Sequence, residues 1–312
     1  MKNYLSKYLF AALNKFLYMR YYLFFILVIF SCTKKGTFKP DEPVVTVEAQ
    51  VIQDVAYGGD KQQKMDVFLP GNRSVSSTKV FVFVHGGAWG EGDKADSTNR
   101  KIIDSLRKRL PDWAIFNLNY RLVKYKFPLS VDNKFPTQED DIKSAVKYIY
   151  DRRSSFIISD KWVLAGASAG GHLALLQAYK NSDLIKPRAV VDLFGPTDMK
   201  ELYNYFSKAD PGTATLISLM MNGNPDKNPS LYASSSPINY VSAQSPPTII
   251  LQGGLDDAVP KEQSFTLSDK LQSYNVTHQF VYYDNQTHGW SDPVVVNDSY
   301  NKIVSFLNAN VP

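Results

Sequence analysis

One serine of the sequence has the surroundings that an activated nucleophile needs. Ser168 lies at the centre of the pattern G-x-S-x-G, directly after the apolar run Trp162–Ala165, which is typical of a buried strand. The residues from His172 onward are typical of a helix, so the pattern predicts a strand-to-helix turn at Ser168. Small neighbours allow the strained backbone of such a turn. The helix behind the turn directs backbone N–H groups towards an oxyanion beside the serine.

A serine hydroxyl is a weak nucleophile until a base accepts its proton and a carboxylate orients that base. Among the four histidines, His288 follows the last predicted strand, where a base can reach the serine loop. His85 falls in a glycine-containing loop, His172 lies one turn along the helix after the serine, and His278 precedes a strand. These positions favour His288 as the base and make the other three weaker candidates.

Three aspartates are candidates for the carboxylate. Asp256 and Asp257 follow the predicted strand Thr248–Leu251, and Asp198 follows the predicted strand Arg188–Leu193. Loops at the carboxyl ends of parallel strands meet at one edge of a sheet, so acids on these loops can approach the serine.

A second glycine-containing loop follows the buried strand Lys79–Val84. Gly86 and Gly87 come directly after His85 in this loop. Glycines at the end of a central strand let the backbone approach a ligand and present its N–H groups. The loop is therefore a second candidate for contact with developing negative charge.

The elements that must position these residues alternate between strand and helix. This alternation predicts an α/β fold with a mostly parallel sheet and helices on both faces. Residues 199–241 break the alternation, so we expect them to form a small helical cap over the site. The predicted strands are Val44–Val55, Lys64–Pro70, Lys79–Val84, Trp113–Leu118, Trp162–Ala165, Arg188–Leu193, Thr248–Leu251 and Gln279–Tyr283. The predicted helices are Ser97–Arg109, Gln138–Arg152 with Thr137 as N-cap, the segment from His172, Lys261–Tyr274 and Asn297–Asn308.

Five motifs together resemble a known family. They are HGGAW at 85–89, NYRL at 119–122, GASAGG at 166–171, D-x-x-x-P at 256–260 and HGW at 288–290. The combination resembles the small serine esterase branch of the α/β-hydrolase superfamily. That branch includes hormone-sensitive-lipase-like carboxylesterases, kynurenine-formamidase-like enzymes and bacterial acetyl and feruloyl esterases. The resemblance spans residues 55–307 and implies the α/β-hydrolase fold.

The resemblance also implies a catalytic triad of Ser168, Asp256 and His288. The chain order Ser, Asp, His is that of the family. The four-residue spacing between Asp256 and Pro260 matches the family pattern and favours Asp256 over Asp257.

By the same resemblance, the backbone N–H groups of Gly86, Gly87 and Ala169 form an oxyanion hole. Trp89 and Trp290 are candidate substrate contacts, and the chemistry requires no metal and no organic cofactor.

Two residues depart from the family pattern. Ala88 replaces the third glycine of the lipase-type HGGG motif, which argues against a close relationship to lipases. Gln252 stands where many relatives have histidine, and we expect this replacement to change little.

The activity that the resemblance implies is that of a serine carboxylesterase on short acyl esters, with acetyl or feruloyl groups on carbohydrate as the favoured substrates. An amide hydrolase, such as a peptidase or formamidase, would use the same triad and is the enzymatic alternative. A non-catalytic glycan-binding surface lipoprotein is the alternative from another class, although a site that has lost its catalytic activity has no need for a triad and both oxyanion loops.

Residues 1–31 have the pattern of a lipoprotein-type signal peptide, in which basic residues precede the apolar stretch Leu23–Phe30. Either Met1 or Met19 fits as the first residue of that signal. Cys32 is the only cysteine, and the preceding residues resemble a lipobox, which predicts lipidation at this position. We therefore expect an exported lipoprotein of the bacterial cell envelope, periplasmic or attached to the outer membrane, which its lipid holds on the membrane.

Length and charge complete the predicted organisation. Residues 32–43 form a tether, and residues 44–312 form one hydrolase domain with the cap inserted at about 199–241. The formal net charge is +5, but four basic residues and no acidic residue lie among the first 31. The remaining chain therefore carries only +1, which argues against a nucleic-acid partner.

Overall fold

A computed structural model describes residues 46–126 and 130–312. The predicted signal peptide, the predicted lipidation site at Cys32 and the predicted tether to residue 43 lie outside these residues. Within the described ranges, no helix combines the length and the apolar character that crossing a membrane requires.

The fold is built on an eight-stranded sheet with the strand order β1-β2-β4-β3-β7-β8-β9-β10. β1 and β2 pair antiparallel with each other, and β2 pairs antiparallel with β4, whereas the other six strands run parallel. A separate antiparallel hairpin consists of β5 and β6. The strands are β1 (Gln50–Ala56), β2 (Lys64–Leu69), β3 (Val80–Val84), β4 (Ala114–Leu118), β5 (Lys124–Lys126), β6 (Ser130–Asp132), β7 (Trp162–Ala167), β8 (Ala189–Leu193), β9 (Thr248–Gly253) and β10 (His278–Tyr283).

Helices cover both faces of this sheet, as the alternation predicts. The helices are α1 (Ser97–Arg109), α2 (Thr137–Asp151), α3 (Arg153–Phe156), α4 (Ala169–Tyr179), α5 (Met199–Ala209), α6 (Pro211–Met220), α7 (Pro229–Ser234), α8 (Glu262–Ser273) and α9 (Pro293–Asn310), with a 3-10 turn at Pro237–Tyr240. Successive residues of a strand point to opposite faces. Accordingly, Val82 of β3 joins the hydrophobic cluster that contains α2, α4 and α8, while Phe81 and Phe83 join the cluster that contains α1 and α9. The expected α/β-hydrolase architecture is confirmed.

Several element boundaries differ from the sequence-based predictions. Thr137 is the first helical residue of α2, so Pro136 rather than Thr137 occupies the N-cap position. α9 begins at Pro293 because the Asp292 carboxylate accepts the Val294 N–H and proline fits the first helical position. His278 is the first residue of β10 and does not precede the strand.

Residues 199–241 contain three helices and a 3-10 turn, as their broken alternation suggests. The two ends of this segment are joined, because the Met199 N–H donates to Ser236 Oγ at 2.9 Å and the Ile238 N–H donates to the Thr197 carbonyl at 3.2 Å. That the segment forms a cap over the serine stays a prediction.

The first turn of α4 lies directly against the end of β3. A Cβ atom built on Gly170 would collide with the carbonyl oxygens of Val84 and His85, and one on Gly166 would collide with Gly170. Only glycine permits this contact of backbone with backbone. The contact brings the amino end of α4 beside the loop that begins at His85.

We predict that Gly170→Ala lowers the free energy of unfolding by at least about 2 kcal/mol, because the added methyl group forces α4 away from β3. Chemical denaturation measures this change. The matched control is Gly59→Ala, whose added methyl group meets no atom within 4 Å, and which should alter stability by less than about 0.5 kcal/mol. Equal stability of the two variants would contradict the contact.

Candidate active site

Three loops at the carboxyl ends of parallel strands bring Ser168, Asp256 and His288 together. Ser168 joins β7 to α4, Asp256 follows β9, and His288 follows β10. His288 Nε2 lies 3.0 Å from Ser168 Oγ. His288 Nδ1 lies 2.8 Å from Asp256 Oδ2 and 3.0 Å from Asp256 Oδ1. The three side chains therefore form one continuous chain of hydrogen bonds, while their catalytic roles stay predictions.

The Ser168 backbone adopts a strained conformation, with φ 56° and ψ −124°. Such a conformation costs on the order of 1–3 kcal/mol and persists only when surrounding contacts hold it. Here the Ser168 N–H donates to the Leu193 carbonyl at 2.8 Å, and its own carbonyl accepts the His172 N–H at 3.1 Å. β8 and α4 thus fix the turn from both sides, which leaves the hydroxyl facing His288.

Backbone N–H groups are available beside the serine. In the part of the chain that the structure describes, the N–H groups of Gly86, Gly87 and Ala169 donate no hydrogen bond. A Cβ atom on Gly86 would lie 3.1 Å from Ser168 Cβ, so the loop passes close to the nucleophile. Gly87 has a φ of 109° and its carbonyl accepts the N–H groups of Gly90 and Glu91, which closes a tight turn. This geometry suits the predicted oxyanion hole.

The far end of the same loop is anchored by Lys94. Its buried ammonium group lies 2.8 Å from Asp66 Oδ1 and 2.9 Å from Asp54 Oδ1. The Asn117 amide donates to the Lys94 carbonyl at 2.9 Å, and the Asn119 amide donates to the Asp93 carboxylate at 2.7 Å. These contacts attach residues 93–94 to β1, to β2 and to the carboxyl end of β4.

Two backbone N–H groups, the Gln252 amide and the His288 ring orient the Asp256 carboxylate. Oδ1 accepts the N–H groups of Ala258 at 3.0 Å and Val259 at 2.8 Å. Oδ2 accepts Gln252 Nε2 at 3.0 Å in addition to its contact with His288.

The two alternative acids have other surroundings. Asp257 is exposed, and the Asp198 carboxylate caps α5 by accepting two backbone N–H groups.

The other histidines have separate contacts. His85 is buried, stacks on Tyr120 with ring centroids 4.5 Å apart, and has Nδ1 2.7 Å from the Gly86 carbonyl. His172 is buried between Trp89 and the Ser235 carbonyl. His278 Nδ1 bonds to the Val276 carbonyl at 2.9 Å.

The two candidate tryptophans differ in exposure. Trp89 is only 5% exposed, so its indole supports the loop from inside, whereas Trp290 is partly exposed. Contact with substrate stays a prediction for both residues.

Phe194 was missed by sequence analysis. Its ring packs edge-on against His288 at 4.7 Å and against Trp290 at 5.4 Å, and its φ is 46°. Its position directly after a predicted strand was the available signal.

Within residues 46–126 and 130–312, no group of three or more His, Cys, Asp or Glu side chains lies close enough together to hold a metal ion.

Comparison with known proteins identifies the family. A family model described as BD-FAE matches residues 65–271. The chain belongs to the BD-FAE family. The expected resemblance to the serine esterase branch of the α/β-hydrolases is thereby confirmed.

Individual relatives agree with this placement. Esterase LipC of Mycobacterium tuberculosis is 24% identical over 70% of this chain and 54% of its own length. The chain spans about half the length of the curated relatives that it matches. A solved bifunctional GH43-CE protein of Bacteroides eggerthii is 25% identical, with a TM-score of 0.70 over 84% of this chain and 38% of that protein. A truncated carbohydrate esterase from gut microbiota is 23% identical, with a TM-score of 0.67 over 82% of this chain and 96% of that one.

In this BD-FAE chain, Gln252 contacts the Asp256 carboxylate. Gln252 is fully buried, donates to Asp256 Oδ2, and accepts the Ser264 hydroxyl at 2.8 Å. The glutamine therefore occupies a place where histidine could also donate, and its contact with Asp256 was not foreseen from the sequence.

We predict that Gln252→Leu slows the labelling of Ser168 by a fluorophosphonate about tenfold, because Asp256 loses a donor that holds it towards His288. Gln252→His keeps an N–H donor and should recover most of the labelling rate. Labelling rates that are equal in all three proteins would instead support the expectation that the residue at 252 changes little.

Proposed function

We propose that the protein is a serine carboxylesterase that cleaves short acyl esters through an acyl-enzyme. One observation carries the proposal, namely the unbroken chain of hydrogen bonds from Ser168 Oγ through the His288 ring to Asp256. A carboxylate, an imidazole and a hydroxyl in that order make the hydroxyl nucleophilic. The unused N–H groups of Gly86, Gly87 and Ala169 beside the serine support the same proposal.

In the acylation step, Ser168 Oγ attacks the ester carbonyl carbon while His288 Nε2 accepts the serine proton. The carbonyl oxygen becomes an oxyanion, which the N–H groups of Gly86, Gly87 and Ala169 stabilise. When the bond from the carbonyl carbon to the alcohol oxygen breaks, His288 returns the proton to the departing alcohol. Asp256 holds Nδ1 protonated and stabilises the imidazolium that forms between these events.

In the deacylation step, a water molecule takes the place of the alcohol beside His288. His288 Nε2 accepts a proton from that water as its oxygen attacks the acyl carbon, and the same N–H groups stabilise the second oxyanion. The bond from the acyl carbon to Ser168 Oγ then breaks and His288 returns the proton to the serine. The products are a carboxylic acid, an alcohol and the original enzyme.

We propose acetyl or feruloyl groups on carbohydrate as the acyl groups removed. Relatives named as esterases, the bifunctional GH43-CE protein and the carbohydrate esterase from gut microbiota support this substrate class. The Phe194 ring, which packs against His288 and against Trp290, also suits a substrate that carries a sugar or an aromatic acid.

We predict that Ser168→Ala lowers ester hydrolysis by at least about 10³-fold without lowering the melting temperature, because the variant lacks the attacking oxygen. The substrates are p-nitrophenyl acetate to decanoate, acetylated xylan oligosaccharides and feruloylated xylan oligosaccharides.

The outcomes of this assay separate the alternatives. Activity on acetyl or feruloyl xylan that disappears in Ser168→Ala supports the proposal. Turnover that persists in that variant contradicts it. Labelling of Ser168 by a fluorophosphonate without any ester hydrolysis favours an amide hydrolase. Absence of both labelling and hydrolysis favours a non-catalytic glycan-binding protein.

We further propose that the protein is exported and attached to the membrane of the bacterial cell envelope through a lipid on Cys32. The basic and apolar pattern of residues 1–31 followed by a lone cysteine supports this proposal.

Bacterial expression of the full chain with an alkyne-tagged fatty acid tests the anchor. We expect the tag on the wild-type protein and on Ser168→Ala, and its absence from Cys32→Ala, whose soluble fraction should retain esterase activity. Equal tagging of Cys32→Ala would contradict lipidation at this cysteine.

A further inference from the structure

His172 lies on α4, four residues after Ser168, and both of its ring nitrogens have partners. Nδ1 lies 3.2 Å from Trp89 Nε1, and Nε2 lies 2.7 Å from the Ser235 carbonyl oxygen. An indole N–H is only a donor, and a carbonyl oxygen is only an acceptor. The ring is therefore the neutral tautomer with its proton on Nε2, which accepts from Trp89 and donates to Ser235.

The Trp89 contact reaches the loop that carries Gly86 and Gly87. Ala88 and Trp89 have φ values of 45° and 59°, so two consecutive side-chain-bearing residues lie in the left-handed region. External contacts must hold such a pair. The Trp89 carbonyl accepts the Val123 N–H at 2.8 Å, and its indole donates to His172. Lys94 anchors the loop only beyond this point, so the indole bond joins the middle of the loop to α4.

The Ser235 contact reaches the helical segment 199–241. Ser235 lies between α7 and the 3-10 turn, next to Ser236, whose hydroxyl accepts the first N–H of α5. The Phe135 ring also packs against His172, with centroids 5.8 Å apart, and the Phe135 N–H donates to the Met220 carbonyl at the end of α6. The imidazole thus touches the serine helix, the glycine loop and the helical segment at once.

Burial keeps this imidazole neutral. His172 is fully buried, which lowers the pKa of its ring to about 4, although the bond to the Ser235 carbonyl opposes that shift. Above that pH, Nδ1 keeps the lone pair that accepts the indole N–H.

We propose that His172 is a positioning residue. By fixing Trp89, it holds the Gly86 and Gly87 N–H groups in place beside Ser168, and it links their position to the helical segment 199–241. This role goes beyond the triad and rests on the proposed esterase activity for its kinetic consequence. A histidine that only filled the core would leave the rate of the chemical step unchanged when its hydrogen bonds are removed.

Two variants remove the indole bond from opposite ends. Trp89→Phe deletes the donor and keeps an aromatic ring, while His172→Leu deletes the acceptor and the donor to Ser235. We expect each to lower kcat for p-nitrophenyl acetate about tenfold with KM within about twofold, because the oxyanion is stabilised in the transition state. The kcat of the double variant should lie within about twofold of the kcat of the slower single variant, because both single variants remove the same indole bond.

Two further variants separate positioning from packing. His172→Gln can accept from Trp89 and donate to Ser235, so it should recover most of kcat. Tyr179→Phe is the matched control because it removes a buried hydrogen bond, Tyr179 Oη to Thr248 Oγ1 at 2.7 Å, from the far end of the same helix. It should lower the melting temperature and leave kcat unchanged.

Amide hydrogen exchange tests the proposal without relying on turnover. We expect Trp89→Phe and His172→Leu to speed exchange at residues 86–92, and His172→Leu to speed it also at 231–238, with His172→Gln close to wild type. Faster exchange in a protein that hydrolyses no ester would refute the esterase while supporting the positioning role. Unchanged exchange in these loops, or additive losses in kcat, would overturn the role of His172.

Discussion

The contact between the first turn of α4 and the end of β3 is the constraint on which the site depends. Because Gly170 lies against the carbonyl oxygens of Val84 and His85, the amino end of α4 and the loop after β3 meet with no side chain between them. The start of the helix at Ala169 and the loop at Gly86 therefore both lie next to Ser168, where a Cβ atom on Gly86 would be 3.1 Å from Ser168 Cβ. Any larger residue at this contact would separate Ser168 from the proposed donors to its oxyanion.

The contact between His288 and Asp256 depends on a second constraint, which is the order of the parallel strands. β9 and β10 are neighbours in the sheet, so the loops after them lie side by side and His288 meets Asp256. β8 separates β9 from β7, and its own loop supplies Phe194, whose ring packs edge-on against the imidazole between these loops. Backbone bonds and Gln252 then orient the carboxylate, so the position of Asp256 does not depend on a single contact.

Local sequence patterns were sufficient for most of the elements, and with the family resemblance they selected the three residues that the structure joins by hydrogen bonds, Ser168, Asp256 and His288. The helix Ser97–Arg109 and the turn at Ser168 follow from periodicity and from small residues within a few positions of each other. What the sequence could not supply are contacts between distant residues. The bond from Gln252 to Asp256 and the packing of Phe194 on His288 depend on which strands become neighbours, and the bonds of His172 depend on how two separate loops fold over α4. Helix starts were displaced where a proline or an aspartate cap, rather than the apolar pattern, decides the first residue.

The joined ends of the segment 199–241 have a consequence for how such proteins diversify. The Met199 N–H bonds to Ser236 and the Ile238 N–H bonds to Thr197, so the chain leaves the sheet and returns to it at almost the same point. When the ends of a loop are held together, lengthening its interior adds little to the entropic cost of closing the loop, because that cost grows only with the logarithm of loop length. The interior of this segment can therefore be replaced, in evolution or by design, provided that the carbonyl of Ser235 continues to face His172.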